Sequence, residues 1–455
     1  MPTRRLLFTA CVLMSLSSTP IMEAAGPFVA GVAAREVTPE PGLEMAGYSA
    51  REGVSAGVRD PLRAKAVVLG DGSKRVALVQ LDWIGPPGLE LVEEIKQAVK
   101  ARSQVDSVLI IATHSHSGPS TPRAATDDVL RSLPHVQRMM TGLIEAIVEA
   151  SNNAVPAKIA IGRGACHIAH NRRAIRPDGS VHMLWANMDR VPTTPVDPEV
   201  GVIRLAAASD DAVIATLVCF ACHPVVFGPD HMNYSADFVG EATQAVEGEQ
   251  GGMCIYLQGA AGDLNPYADK RLQEQRAEHW VRAAGIELAD EVNRVSRTLQ
   301  PAVPKETSLK IHTRTMMIKP RYDFEDPETV RRLGKILSPG GLKRYQTIFK
   351  RYADGFLAPM SAVILNGDLA FATFPGEFFV EFQQQLKSRS PVADTFFLGY
   401  CNASYGYFPT VQAASEGGYG ATTNSFVEIG AGERMVLQAL IDLHQLSGRF
   451  DNPQP

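Results

Sequence analysis

No block of five or six like charges occurs in the 455 residues, and 44 basic side chains are nearly balanced by 49 acidic ones. A nucleic-acid partner, or a membrane surface held by charge, is therefore not expected. Nowhere do about 20 apolar residues run without interruption, so no transmembrane helix is expected either. Cysteine is scarce, with six in all, five of them (Cys166, Cys219, Cys222, Cys254 and Cys401) beyond residue 25. An odd number cannot pair completely, although one or two disulfides remain open. Repeats, low-complexity tracts and Ser/Gly linkers are missing, and the 45% hydrophobic content is ample for a large core.

The amino terminus has the layout of an export signal: Arg4 and Arg5, an apolar stretch from Leu6 to Leu16, then the small residues Ala24 and Ala25. Residues 1–25 are thus expected to be a signal peptide, residues 26–455 a single catalytic domain, and the protein exported to the periplasm or secreted. Cys11 lies in the apolar stretch, but Phe8 ahead of it fits a lipoprotein box poorly, which favours export without an anchor. Cys219 and Cys222 form a C-x-x-C within an apolar run; on a strand, residues three apart face opposite sides, as core thiols rather than a ligand pair would.

Strand-like and helix-like segments alternate. Strands are expected at 65–70, 75–82, 107–113, 212–221, 253–259, 362–367, 369–374 and 395–400, several as unbroken apolar runs covered on both faces. Helices are expected at 88–102, 135–151, 237–247, 270–295, 327–336, 377–388 and 432–446. The pattern predicts an α/β fold, with mixed sheets flanked by helices and the active site at the carboxyl ends of the strands. The more charged stretch 319–358 suits a mobile lobe or lid, or a surface helical hairpin.

Those strand ends carry the chemistry. The run 107–113 leads into His114 and His116, followed by Ser117, Gly118 and Pro119. If the strand geometry persists, positions two apart share a face and both imidazoles can point into one site, as a zinc ion would require; taken alone, the pair fits two histidines satisfied by loop hydrogen bonds equally well. Other apolar strands end at Cys222-His223-Pro224, at Gly262-Asp263, at Phe374-Pro375-Gly376-Glu377, and at the segment from Cys401 to Tyr407. Taken singly, His223 can be a loop residue, Glu377 a carboxylate at a helix start and Tyr407 a surface aromatic. Polar residues at five strand ends together point to one site.

The segment Thr113 to Pro119 resembles the T-H-T-H-S-G-P motif of the neutral, non-lysosomal ceramidase family. Similar correspondences run from Cys222-His223-Pro224 to the family's V-H-P, from Asn233–Gly240 to its S-x-D-x-V-G stretch, from Gly262–Pro266 to its G-D-V-S-P-N, and from Gly376-Glu377-Phe378 to its G-E-F. The resemblance implies the family's N-terminal catalytic domain, to which longer members append a C-terminal β-sandwich-like domain without counterpart here. Carried over residue by residue, it implies zinc held by His114, His223, Glu377 and Tyr407, with His116 facing the substrate and Arg172, in a segment similar to I-N-R-S, holding a carbonyl or oxyanion. One residue departs from the pattern: Asn265 stands where the family has its serine, and an amide is neither nucleophile nor base.

The expected activity is a Zn2+-dependent hydrolase cleaving the amide bond of an N-acyl substrate, either a ceramide-like lipid or another small N-acyl amide. His116, with Asp263 behind the site, would manage protons, while Arg172 and Asn265 steady the oxyanion. An esterase or lactonase at the same site, and an inactive secreted lipid- or metal-binding protein, are the alternatives.

Overall fold

The computed structural model describes residues 26–121, 125–270 and 274–450. Residues 1–25, on which the expectation of a signal peptide falls, and Cys11 among them lie outside the described residues. Eight strands form the larger sheet: β1 (Val29–Glu36), β2 (Arg63–Gly70), β3 (Arg75–Leu81), β4 (Ser107–Ala112), β5 (Val155–Ala165), β6 (Glu199–Ala207), β7 (Val213–Phe220) and β8 (Met253–Gln258). Their order is β8-β7-β6-β5-β1-β2-β3-β4. The end pairs β7/β8 and β3/β4 are parallel, and the neighbours between them antiparallel. A second mixed sheet contains β9 (Leu309–Ile318), β10 (Phe356–Leu365), β11 (Leu369–Thr373) and β12 (Asp394–Leu398), in chain order.

Period-two alternation builds the layers. Along β2, Ala66 and Val68 pack with Leu91 and Ile95 of α1 (Leu89–Arg102) and Leu143 and Ile147 of α2 (Pro134–Asn152). Val67 and Leu69, on the opposite face, pack with Phe371 and Leu398 of the second sheet. The other half of the large sheet is covered by α3 (Asp237–Gln250) and α4 (Glu274–Thr298). The outer face of the second sheet carries α5 (Pro339–Arg351), α6 (Val380–Arg389) and α7 (Ala431–Leu446). Helices, sheet, sheet and helices thus form four layers.

Both free edges of the large sheet are sealed by side chains, which removes the hazard of unpaired backbone groups. At β8, Glu247 accepts from Cys254 N, Gln80 accepts from Tyr256 N, and Lys65 donates to the Cys254 carbonyl. Lys65 and Gln80 belong to β2 and β3, so the sheet curls until β8 reaches strands far from it in sheet order. Gln258 completes the seam by donating to the Thr113 carbonyl. At β4, the Asn402 side chain accepts from Ile110 N at 2.9 Å and donates to the Val108 carbonyl at 3.0 Å, imitating a strand. This curl brings the ends of β4 and β7 together.

Each expected strand and helix has a counterpart, but the helix expected from 377 begins at Val380, with Glu377 and Phe378 paired as a strand. The first residues of the helix expected at 270–295 include 271–273, outside the described residues. Sequence periodicity misses β1, β5, β6 and β9, which supply antiparallel partners within the sheets. β10 begins at Phe356 rather than 362. The stretch 319–358 holds two helices, Pro327–Leu333 and α5, and α5 buries Tyr345, Ile348 and Phe349 in the core beneath its charged face. The five cysteines beyond residue 25 are free, buried thiols. Among the described residues no helix is long and apolar enough to cross a membrane.

Asn402 has φ 61°, in the left-handed region where asparagine is tolerated better than most residues. Asn402→Ala leaves the buried Ile110 N–H without its acceptor, so the unfolding free energy should fall by about 2–3 kcal/mol in urea titration. An unchanged midpoint would show that the edge seal is dispensable.

Candidate metal and catalytic site

β4 ends at Ala112, and His114 adopts φ 71°. The strand geometry therefore does not persist through the H-x-H pair, and a turn, not strand alternation, brings the imidazoles together. The His114 and His116 ring centroids lie 4.9 Å apart, as do those of His114 and His223. Gly47, at φ 101°, backs this turn: a Cβ there would meet the His116 ring at 2.4 Å.

Backbone carbonyls orient two of the rings. His114 Nδ1 lies 2.6 Å from the Ile84 carbonyl, and His223 Nδ1 lies 2.5 Å from that of Ala261. A carbonyl only accepts, so each Nδ1 carries a hydrogen, and a ring in its neutral form then turns the lone pair of Nε2 inward. Both lone pairs meet Glu377 Oε2, at 3.3 Å from His114 and 3.4 Å from His223. Burial pulls the His223 pKa down to about 3, so protonation does not relieve this opposition near neutrality. Three buried electron-pair donors aimed at one another suit a cation among them, and the donor set fits a divalent metal.

His116 widens the set. Its ring nitrogens are buried without a hydrogen-bond partner among the described residues, and His114, His116 and His223 offer nitrogens within 4.8 Å of one another. Burial, then the neighbouring His114 and His223, hold its pKa well below the ordinary value. Glu377 and Tyr407 arrive from the second sheet, beyond the ends of β11 and β12, and are direct partners in a short parallel ladder. Gly262 allows this ladder close, since a Cβ there would sit 2.4 Å from the Glu377 carbonyl oxygen. Burial, then Glu377, raises the Tyr407 pKa well above its usual value.

Arg172, Asp263 and Asn265 lie behind this group. The Arg172 guanidinium packs against the rings of Trp185, Tyr407 and Tyr419. It donates to the Gly262 carbonyl at 2.6 Å and to Asn265 Oδ1 at 3.0 Å, and its Nε is buried without a partner among the described residues. Asn265 donates in turn to Asp269 at 2.7 Å, so both ends of its amide are engaged. Asp263 accepts from Asn171 at 2.7 Å and from Val380 N, the first residue of α6, at 2.8 Å. Burial pushes its carboxyl up to about 6.

A cavity of about 430 Å3 opens over His114, His116, Glu377 and Tyr407. Its remaining wall includes Tyr48, Arg51, Arg344, Tyr419 and Asn424, none of which carries a motif signal. Tyr400, whose ring lies 4.5 Å from that of His114, was equally invisible in sequence.

The family described as neutral/alkaline non-lysosomal ceramidase, N-terminal, matches residues 28–265. The chain is 26% identical over 167 residues to a neutral ceramidase of Oryza sativa subsp. japonica, covering 35% of this chain and 21% of that protein. It is 29% identical over 146 residues to neutral ceramidase 3 of Arabidopsis thaliana, covering 30% of this chain and 20% of that protein. The matches thus span about a fifth of these relatives' length. The neutral ceramidase structure from Pseudomonas aeruginosa superposes with a TM-score of 0.69 at 18% identity, covering 94% of this chain and 75% of that one, a likeness of fold. A ceramidase complexed with C2 gives 0.69 at 17%, covering 93% and 75%.

If Asn265 bridges Arg172 to Asp269, Asn265→Leu leaves both buried charges short of a partner. Its unfolding free energy should drop by about 2–4 kcal/mol in denaturant titration, and a loss below about 0.5 kcal/mol would contradict the bridge.

Proposed function

Since the chain belongs to the neutral/alkaline non-lysosomal ceramidase family, we propose that it is an exported zinc amidohydrolase cleaving the C–N bond of an N-acyl compound, ceramide or a smaller N-acyl amide. The observation that carries this reading is the convergence of His114 Nε2 and His223 Nε2 on Glu377 Oε2 in a buried pocket. These three residues, with Tyr407 as a weak fourth donor, would hold the ion. Nitrogen donors with one carboxylate favour zinc over magnesium or calcium. When bound, zinc supplies an acidified water and polarisation of the acyl carbonyl.

The chain's own residues do the rest. His116, neutral and with both ring nitrogens lacking a protein partner among the described residues, takes a proton from the attacking water and returns it to the leaving amine. Its nearness to His114 and His223 also suits it as a further ligand, and the two roles exclude each other at one nitrogen. Arg172, with its buried Nε–H beside Tyr407, offers positive charge to the developing oxyanion. Asn265 and Asp263 act as positioning residues: one anchors Arg172, the other ties the Gly262 loop to the start of α6. A water nucleophile needs no hydroxyl at position 265.

The purified protein should contain about one zinc per chain by elemental analysis and hydrolyse a fluorogenic N-acyl amide. His114→Ala should lose the metal and more than about a hundredfold in kcat/KM. Undiminished turnover by metal-stripped protein would contradict the mechanism, and turnover of matched esters alone would replace the amidase with an esterase.

A further inference from the structure

His116 is held differently from its two neighbours. His114 and His223 are each aimed by a carbonyl on Nδ1, whereas neither ring nitrogen of His116 has a hydrogen-bond partner among the described residues. Its orientation therefore comes from its backbone and from what packs on the ring. Against the ring lie Gly47, where a Cβ would not fit, and Tyr48, whose ring centroid is 4.9 Å away. The segment carrying these two residues runs beside the histidine turn, with Ala46 N donating to the Gly118 carbonyl and Ser120 N to that of Glu44. Three residues past Tyr48, the Arg51 guanidinium turns back and donates to four backbone carbonyls. Nη1 reaches Ala46 at 2.6 Å and His116 at 2.8 Å, Nη2 reaches Gly228 at 3.2 Å, and Nε reaches Pro229 at 3.3 Å. The guanidinium also lies 4.9 Å from the centroid of the Tyr48 ring. One cation thus joins the turn after β4, the Gly47–Tyr48 cover and the segment that follows His223.

We infer that Arg51 is the positioning residue for His116. Through the His116 carbonyl and the Tyr48 cover it supplies the orientation that Ile84 and Ala261 supply to the other two rings. This rests on the role of His116 in the proposed amidohydrolase. The task calls for arginine, because the carbonyls belong to three separate segments and a planar fork of five N–H donors meets several of them at once. A lysine ammonium brings the same charge with only three donors at one point. Loss of the fork frees the His116 ring to shift against the leaving amine, and a displacement of about 1 Å at such a group costs about a hundredfold in rate.

The test is a double-mutant cycle on hydrolysis of an N-acyl amide by wild type, Arg51→Gln, His116→Ala and the double variant, each with its zinc content measured. Arg51→Gln should keep its zinc and a KM within about threefold of wild type, while kcat falls at least about thirtyfold. In the His116→Ala background the same change should cost less than about threefold, because a residue that acts through His116 then has nothing to position. Arg51→Lys should remain at least about tenfold below wild type. Equal losses in the two backgrounds, loss of zinc from Arg51→Gln, or full activity of Arg51→Lys would overturn the proposal. If Arg51→Gln does not fold, the same cycle run with Arg51→Lys decides. If wild type turns over no amide, the amidohydrolase reading fails on its own, and NMR relaxation of the isotope-labelled His116 ring decides for Arg51. A ring order parameter that falls from about 0.85 in wild type to below about 0.6 in Arg51→Gln upholds the positioning role, and an unchanged value overturns it.

Discussion

Two imidazole nitrogens and a carboxylate oxygen face one another at the buried floor of the open cavity, and the rest of the site is arranged around that convergence. With both rings neutral it is unfavourable without an ion, because none of the three atoms then offers a hydrogen to the others. It is imposed from outside by the carbonyls of Ile84 and Ala261, which fix the ring tautomers, and by the ladder that delivers Glu377 alongside Tyr407. Such second contacts commonly set the orientation and basicity of metal-binding histidines. The curl of the large sheet serves the same end, since only by closing toward β8 can the ends of β4 and β7 place their histidines within reach of one carboxylate.

Much of this site was legible because its residues lie beyond the ends of apolar runs, His114 after β4, His223 after β7, Glu377 after β11 and Tyr407 farther past β12, while their choice as a ligand set came from the family resemblance. Coincidence of polar residues at several strand ends is a long-range signal that survives ignorance of sheet order. His114 and His116 nevertheless converge through a left-handed turn at His114 and not by strand alternation. The strands that escaped notice, β5 and β9 above all, are half exposed and interleave charged and small residues, so their apolar signal is diluted. What pairs them is a partner more than 30 residues away, which local periodicity does not register. Gln80, Gln258 and Asn402, which seal the edges, look like ordinary polar residues until their backbone partners are known.

Asn265 shows how a departure from a family pattern changes meaning in three dimensions. In sequence it reads as the loss of a hydroxyl. In the fold its amide oxygen accepts a hydrogen bond from Arg172 and its amide nitrogen donates one to Asp269, which also pairs with Lys270. The position belongs to a buried polar chain that holds a cation among three aromatic rings, a task to which an amide is suited because it both donates and accepts. A chemistry that relies on activated water and on the placement of Arg172 is consistent with that exchange.

The most direct test of the account is anomalous diffraction from crystals of the protein, recorded on either side of the zinc absorption edge. The account predicts one peak, present only above the edge, within about 2.0–2.2 Å of His114 Nε2, His223 Nε2 and a Glu377 oxygen. A peak elsewhere, or these three atoms packed together with no density between them in crystals grown with zinc, would contradict it.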